Sequence, residues 1–333
     1  MNYIRKLIGL IGSIKNPPFF IYHTFHYLNI FVPYSFADFV FRHNLKQFRN
    51  GRNLLISTYD GSGQVVHPDM TSFNGKNWMV VTPYPYGMEE YENPCSYVGE
   101  SINSLQMESA PIIKQEKHNQ GYHLSDPCIA HNSDDIFCFY RDSERISDEK
   151  ERNSLKVLRY NQEIKSWGSP EIIVSSEEDA LLSPAFLFDK GGVCHMYYVS
   201  RIDGKFSLSY SQLSSGFKPN AFIPIRVNGL PHGFDLWHIG IAYRNNKDKF
   251  EEHDSSLIGL FLLKSKNKKF RLFLSESIGI GEPWTLGKEI GSSLLKIDDC
   301  CFFYKSCFVP YSNDILLSYV DSKTRYRLTI RNI

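Results

Sequence analysis

The stretch GSGQVVHPDM, Gly61–Met70, places His67, Pro68 and Asp69 directly ahead of an apolar, strand-like run. One such triplet marks only a turn. The arrangement returns, however, as LSDPCIA at Leu124–Ala130 and as LSPAFLF at Leu182–Phe188. His67, Ser125 and Ser183 open successive units at intervals of about 58 residues, close to the length of a propeller blade. Within each unit strand-like runs alternate with turn signals. In the third, SPAFLF is followed by the turn DKGG, the run VCHMYYVS, the turn RIDGK and the run FSLSYSQL.

Two looser units follow, opening at LWHIGIAYR (Leu236–Arg244) and at YKSCFVPYS (Tyr304–Ser312). Five units with a recurring opening signal predict an all-β, five-bladed β-propeller over residues 51–333. A two-sheet sandwich also has short alternating strands, but it requires no such recurrence. The last unit supplies only three strands. NLLISTYD, Asn53–Asp60, precedes the first unit and belongs to none, so it is expected to close the ring as the outer strand of the last blade.

The rest of the sequence bounds the function. A formal net charge of +1 over 333 residues gives no basis for nucleic-acid binding. The seven cysteines lack a C-x-x-C pair, and several lie in apolar runs such as DIFCFY. They read as buried, reduced thiols, and the expected location is cytoplasmic. No P-loop, G-x-G-x-x-G, H-E-x-x-H or G-x-S-x-G signature occurs, so no cofactor and no metal are expected. Ile4, Leu7, Ile8, Ile11 and Ile14 share one helical face near the N-terminus. Residues 1–50 are expected to form a helical segment that docks on the propeller or lies on a membrane surface without crossing it. The charged runs ERISDEKERN and NNKDKFEEHD read as solvated loops.

In a propeller the first strand of each blade lines the channel. The openings of those strands and the loops between second and third strands then share one rim. That rim collects His67, Asp69, Asp126, Ser183, Trp237, His238, Tyr304, Lys305 and Ser306. The loop TPYPYGMEEYENP adds Glu89, Glu90, Tyr91, Glu92 and Asn93.

At this point HPDM…WMVVTPYPY…ENP, SDPCIA and SPAFLF resemble the five-bladed propeller glycoside hydrolases, namely the arabinanase, xylosidase and invertase-type families. The resemblance covers residues 54–333 and implies a glycan substrate. It gives Asp69 the role of base or nucleophile and Asp126 that of an orienting or tuning carboxylate. The acid expected on the third blade is missing from LLSPAF; Glu177, Glu178 and Asp179 lie just before it. Glu92 is the carboxyl proposed to pair with Asp69. His67, Asn93, Ser183, Trp237, His238, Tyr304, Lys305 and Ser306 are the expected substrate contacts, with Trp237 as a sugar platform and Lys305 for an anionic group. A non-catalytic glycan-binding propeller and a polysaccharide-assembly enzyme that transfers sugar are the alternatives.

Overall fold

The computed structural model describes residues 52–87, 89–113, 122–147, 150–202, 204–250, 256–266, 269–290, 300–321 and 326–333. The expected N-terminal helical segment lies outside them. Strand β1 is Arg52–Leu54. The first blade consists of β2 (Val65–Phe73), β3 (Lys76–Pro83), β4 (Cys95–Gly99) and β5 (Gln106–Ser109). The second has β6 (Tyr122–His131), β7 (Ile136–Arg145), β8 (Glu151–Asn161), the short β9 (Ser166–Trp167) and β10 (Glu171–Ser176). The third has β11 (Leu182–Phe188), β12 (Cys194–Ile202), β13 (Lys205–Leu213) and β14 (Ile223–Ile225). The fourth has β15 (Val227–Asn228), β16 (Phe234–Tyr243), β17 (Leu257–Ser265), β18 (Phe270–Ser277) and β19 (Trp284–Glu289). The fifth has β20 (Cys300–Phe303), β21 (Cys307–Phe308), β22 (Asp314–Asp321) and β23 (Tyr326–Asn332).

β1 completes that fifth sheet, whose order is β1-β23-β22-β20. Arg52, Asn53 and Leu54 pair antiparallel with Ile330, Thr329 and Leu328. The expected closure is present, with pairing confined to the start of the segment read from the sequence. It ties the first described strand to the last and leaves the ring with no open seam.

Why the strands read as nearly continuous apolar runs follows from the ring. Each blade is covered on both faces by neighbours, so both sets of alternating side chains are buried. On β3, Val80 packs toward the second blade while Met79 and Val81 pack toward the fifth. On β7, Cys138 and Tyr140 face the first blade, and Phe137 and Phe139 face the third. Phe139 stacks on Phe186 of the third blade with ring centroids 3.8 Å apart. Each of the five gaps between adjacent blades is filled by an apolar cluster, and Val66, Tyr84, Val320 and Tyr326 add a smaller one between the first and fifth blades. Cys95, Cys128, Cys138, Cys194 and Cys307 are free thiols buried within these cores.

The inner strands approach closely where β16 meets the fifth blade. A Cβ on Gly240 would lie 2.1 Å from the Ser306 carbonyl oxygen. Glycine is therefore required here by space. Gly240→Ala should lower stability by about 1–3 kcal/mol or more, because the obstacle is backbone. Urea unfolding followed by tryptophan fluorescence checks this, with the midpoint moving to lower urea.

Candidate functional site

Each of the first three inner strands carries a bulge next to its proline. The β2–β3 register slips between Val66 and Asp69, the β6–β7 register between Ser125 and Cys128, and the β11–β12 register between Leu182 and Ala185. The residue preceding proline in each bulge has a left-handed backbone: His67 (φ 54°), Asp126 (φ 51°) and Ser183 (φ 47°). A non-glycine residue in that region is strained and persists only where its surroundings hold it. On β16 the bulge falls between Leu236 and His238, at Trp237. In the fifth blade Tyr304–Ser306 interrupt the inner edge between β20 and β21.

This frame settles which residues are equivalent. His67, Asp126 and Ser183 occupy the same position in successive blades. Asp69 matches Cys128 and Ala185, one step deeper in the channel. The two sequence-predicted aspartates therefore stand at different levels.

At the deeper level Asp69 is fully buried, and its Oδ1 lies 3.0 Å from Lys249 Nζ. Its Oδ2 accepts a hydrogen bond from Ile129 N at 3.0 Å. Lys249 also donates to the Ile241 carbonyl. Asp248 beside it accepts from Thr71 Oγ1 at 2.6 Å and from Ser72 N at 3.1 Å. Asp248 and Lys249 are 0% and 3% exposed. The NNKDKFEEHD stretch is thus no simple solvated loop: at these two residues it turns inward and fills the channel from the end remote from the bulges. A charge pair can be buried there because each partner supplies the other's counterion and the remaining atoms find backbone groups.

Lys305 is likewise buried. Its ammonium donates to the Pro127 carbonyl at 2.9 Å and to the Pro184 carbonyl at 3.1 Å. Instead of standing free on the rim for an anionic group, it crosses the channel and ties the fifth blade to the second and third. Ser306 is also internal and accepts from Ser318 N at 3.3 Å. Ser183 Oγ accepts from Ile239 N at 2.9 Å and donates to the Ile239 carbonyl at 3.2 Å. Asn93 donates to the Ile113 carbonyl at 2.7 Å.

Chemistry concentrates around Asp126. Its Oδ2 lies 3.2 Å from Arg141 Nε and accepts from Ser183 N at 3.3 Å. Arg141 also donates to Ser125 Oγ at 3.0 Å and to Asn153 Oδ1 at 3.3 Å. Asp126 Oδ1 lies 3.3 Å from His67 Nε2 and 3.7 Å from His238 Nδ1. Burial alone would raise the Asp126 pKa, but His67, Arg141, His238 and Lys305 outweigh it and hold the group well below the usual carboxylate range. His67 and His238 are pushed the other way by burial, His67 to about 4, so both rings are neutral near pH 7. With Tyr304 they form a triangle of rings, centroids 5.1, 5.5 and 5.7 Å apart.

Glu92 reaches the same region from the β3–β4 loop, after a 3-10 turn at Glu89–Tyr91. Its carboxylate lies 3.8 Å from His123 Nε2 and is 6% exposed. Burial raises its pKa well above the ordinary value; Arg141 opposes this, and Asp126 and Glu89 reinforce it. Trp237 is half-buried, with Lys264 Nζ 3.5 Å from its ring centroid, so an ammonium already covers one face of the expected platform. Glu177 is exposed and pairs with Lys150 and Arg152. Asp179 accepts from Arg201 N at 2.8 Å. The sequence reading missed Arg141, His123 and Lys249. An arginine inside the apolar run IFCFYRD was the available signal for the first.

No protein-family model matches the sequence, and no curated protein matches it. Solved structures do. A GH43 endo-arabinanase from Bacillus licheniformis superposes with a TM-score of 0.58 at 10% identity, covering 83% of this chain and 96% of that one. An exo-beta-1,3-galactanase from Phanerochaete chrysosporium gives 0.58 at 10% identity, covering 85% and 64%. An exo-1,5-alpha-L-arabinanase from a bovine ruminal metagenomic library gives 0.53 at 12%, covering 86% and 96%. The fold is that of the GH43 propellers. Identity this low establishes the architecture and leaves the chemistry to the residues.

The Asp69–Lys249 pair makes a direct test of the channel. Lys249→Met alone leaves an uncompensated buried carboxylate and should cost about 3–5 kcal/mol. Combining it with Asp69→Asn should recover a large part of that loss. Chemical denaturation of the two single variants and the double variant measures the coupling.

Proposed function

We propose that the protein is carbohydrate-active, binding a glycan at the bulged end of the channel and cleaving a glycosidic bond there with Glu92 as the proton donor. The observation that carries the reading is the placement of Glu92, a buried carboxyl on the same rim as an Asp126 locked to Arg141. Glycoside cleavage needs one carboxyl that holds its proton and a second group that stays ionised. Glu92 and Asp126 have environments that separate them in that sense. The rings of His67, His238 and Tyr304 offer apolar and polar edges to a sugar. The solved GH43 neighbours include arabinanases and galactosidases, which supports a glycan as the ligand.

The pairing of acids differs from the sequence reading, which joined Glu92 to Asp69. Asp69 is committed to Lys249, and the third bulge carries Ser183 where a carboxylate would be useful. These two facts also favour the second reading, a propeller that binds glycans without turnover.

A glycan array followed by a product assay separates the two. With a catalytic Glu92, Glu92→Gln retains binding and loses turnover by about 10²–10⁴-fold. Wild-type activity should persist above pH 4.5, the ordinary Glu value. It should decline as pH rises through the elevated pKa, since the donor then loses its proton. The charged and titratable groups facing Glu92 are Arg141, Asp126, Glu89, His123, Tyr59 and Tyr304. Arrayed glycans that bind without any product formation would establish the non-catalytic reading instead.

A further inference from the structure

We propose that His67, Asp126 and His238 form a binding site for a divalent transition-metal ion, at the floor of the bulged end of the channel. The site goes beyond the glycan reading and does not depend on it. One ligand atom from each of the three residues lies within 4.8 Å of the others. Ligands about 2.0–2.2 Å from a common ion stand about 3.0–3.5 Å apart when adjacent. The distances from Asp126 Oδ1 to the two imidazoles, 3.3 and 3.7 Å, are close to that range.

The second observation concerns unmet polar atoms. Asp126 Oδ1, His67 Nδ1 and both ring nitrogens of His238 are buried and have no hydrogen-bond partner. Their residues are 1%, 5% and 4% exposed. The close approaches of the rings to Oδ1 lack hydrogen-bond alignment, although neutral imidazoles could readily donate to a carboxylate. Buried polar atoms left in this way call for an ion or water. An ion accepting lone pairs from Asp126 Oδ1, His238 Nδ1 and His67 Nε2 would satisfy two of them at once, Oδ1 and His238 Nδ1.

The surroundings define which ion. Asp126 Oδ2 is oriented by Arg141 and Ser183 N, which leaves Oδ1 available. Such an outer contact fixes a ligating carboxylate. Arg141 and Lys305 bring positive charge and oppose any cation, so charge alone does not create the site. Two imidazoles and one carboxylate prefer zinc, cobalt or nickel over calcium or magnesium, which seek oxygen ligands. The three protein ligands leave coordination positions for water or for an oxygen of a bound sugar.

The test uses the full chain after removal of metals by a chelator. Cobalt(II) is titrated by visible absorption and zinc(II) by calorimetry. One ion should bind per chain with micromolar or tighter affinity, and calcium and magnesium should fail to compete at a hundredfold excess. His67→Gln and His238→Gln should each weaken cobalt binding at least tenfold. His131→Gln, altering a histidine beside Asp248 at the remote end, should leave it unchanged. Anomalous diffraction from wild-type crystals grown with zinc needs no variant. A peak among the three residues supports the site; no peak there overturns it. Absence of stoichiometric cobalt binding, or binding undiminished in both site variants, overturns it as well. Ion binding without any glycan binding would defeat only the glycan reading.

Discussion

Everything at the channel depends on how the inner strands are stitched together. A bulge turns a side chain out of its own sheet, and the side chain takes a backbone amide of the next blade. Asp69 takes Ile129 N, Asp126 takes Ser183 N, and Ser183 takes Ile239 N. Cys128 Sγ receives Phe186 N at 3.3 Å in the same manner. These amides lie at the centre of a ring, away from solvent, where an unmatched donor costs about 1–3 kcal/mol. The stitches therefore fix the angular spacing of the blades, while the apolar clusters between the blades supply the area term that drives closure.

Two lysines complete what the stitches leave open. The prolines that follow the bulged residues expose carbonyls to the channel, and Lys305 meets two of them. Lys249 enters from the opposite end and neutralises Asp69. An ammonium has three donors and no acceptor, so it suits a space lined by carbonyls and a carboxylate. The channel becomes a packed polar core. Its bulged end retains one ionised carboxylate, two neutral imidazoles, a guanidinium and the buried Glu92.

The architecture was legible because it is periodic. The 58-residue spacing of His67, Ser125 and Ser183, and the unassigned strand before the first unit, led to five blades and to their closure. The outer strands β5, β10, β14 and β19 were not distinguished, since strands such as Ile223–Ile225 are short and partly exposed. Of the candidate residues, His67, Asp126, His238 and Tyr304 lie together, whereas Asp69 pairs with Lys249 one step deeper and Lys305 is tied to carbonyls inside the channel. Aligning the units on His-Pro-Asp and Asp-Pro set Asp69 beside Asp126. Aligning them on the residue before proline sets His67 there instead, and only the bulge register separates the two. Lys249 was unreadable for a different reason. A lysine within NNKDKFEEHD carries no local sign that a carboxylate 180 residues earlier will receive it.

The division of labour within Asp126 limits what any single substitution can reveal. Oδ2 belongs to the fold, since it holds Ser183 N and Arg141. Oδ1 faces His67 and His238 and takes no part in the stitch. Replacing the aspartate removes both, so a loss of activity in that variant would not distinguish a lost stitch from a lost reactive group. His67, His238 and Glu92 lack this double commitment: their side chains accept no stitch from a neighbouring blade. Conservative changes there leave the ring intact and alter only what the channel end presents. The strained backbone at His67 fits the same view. A left-handed residue before proline costs about 1–3 kcal/mol. The cost is repaid in part at Asp126 and Ser183, where the bulge delivers a side chain to the next blade. At His67 no such hydrogen bond returns, and the ring is delivered instead to the carboxylate of the second blade.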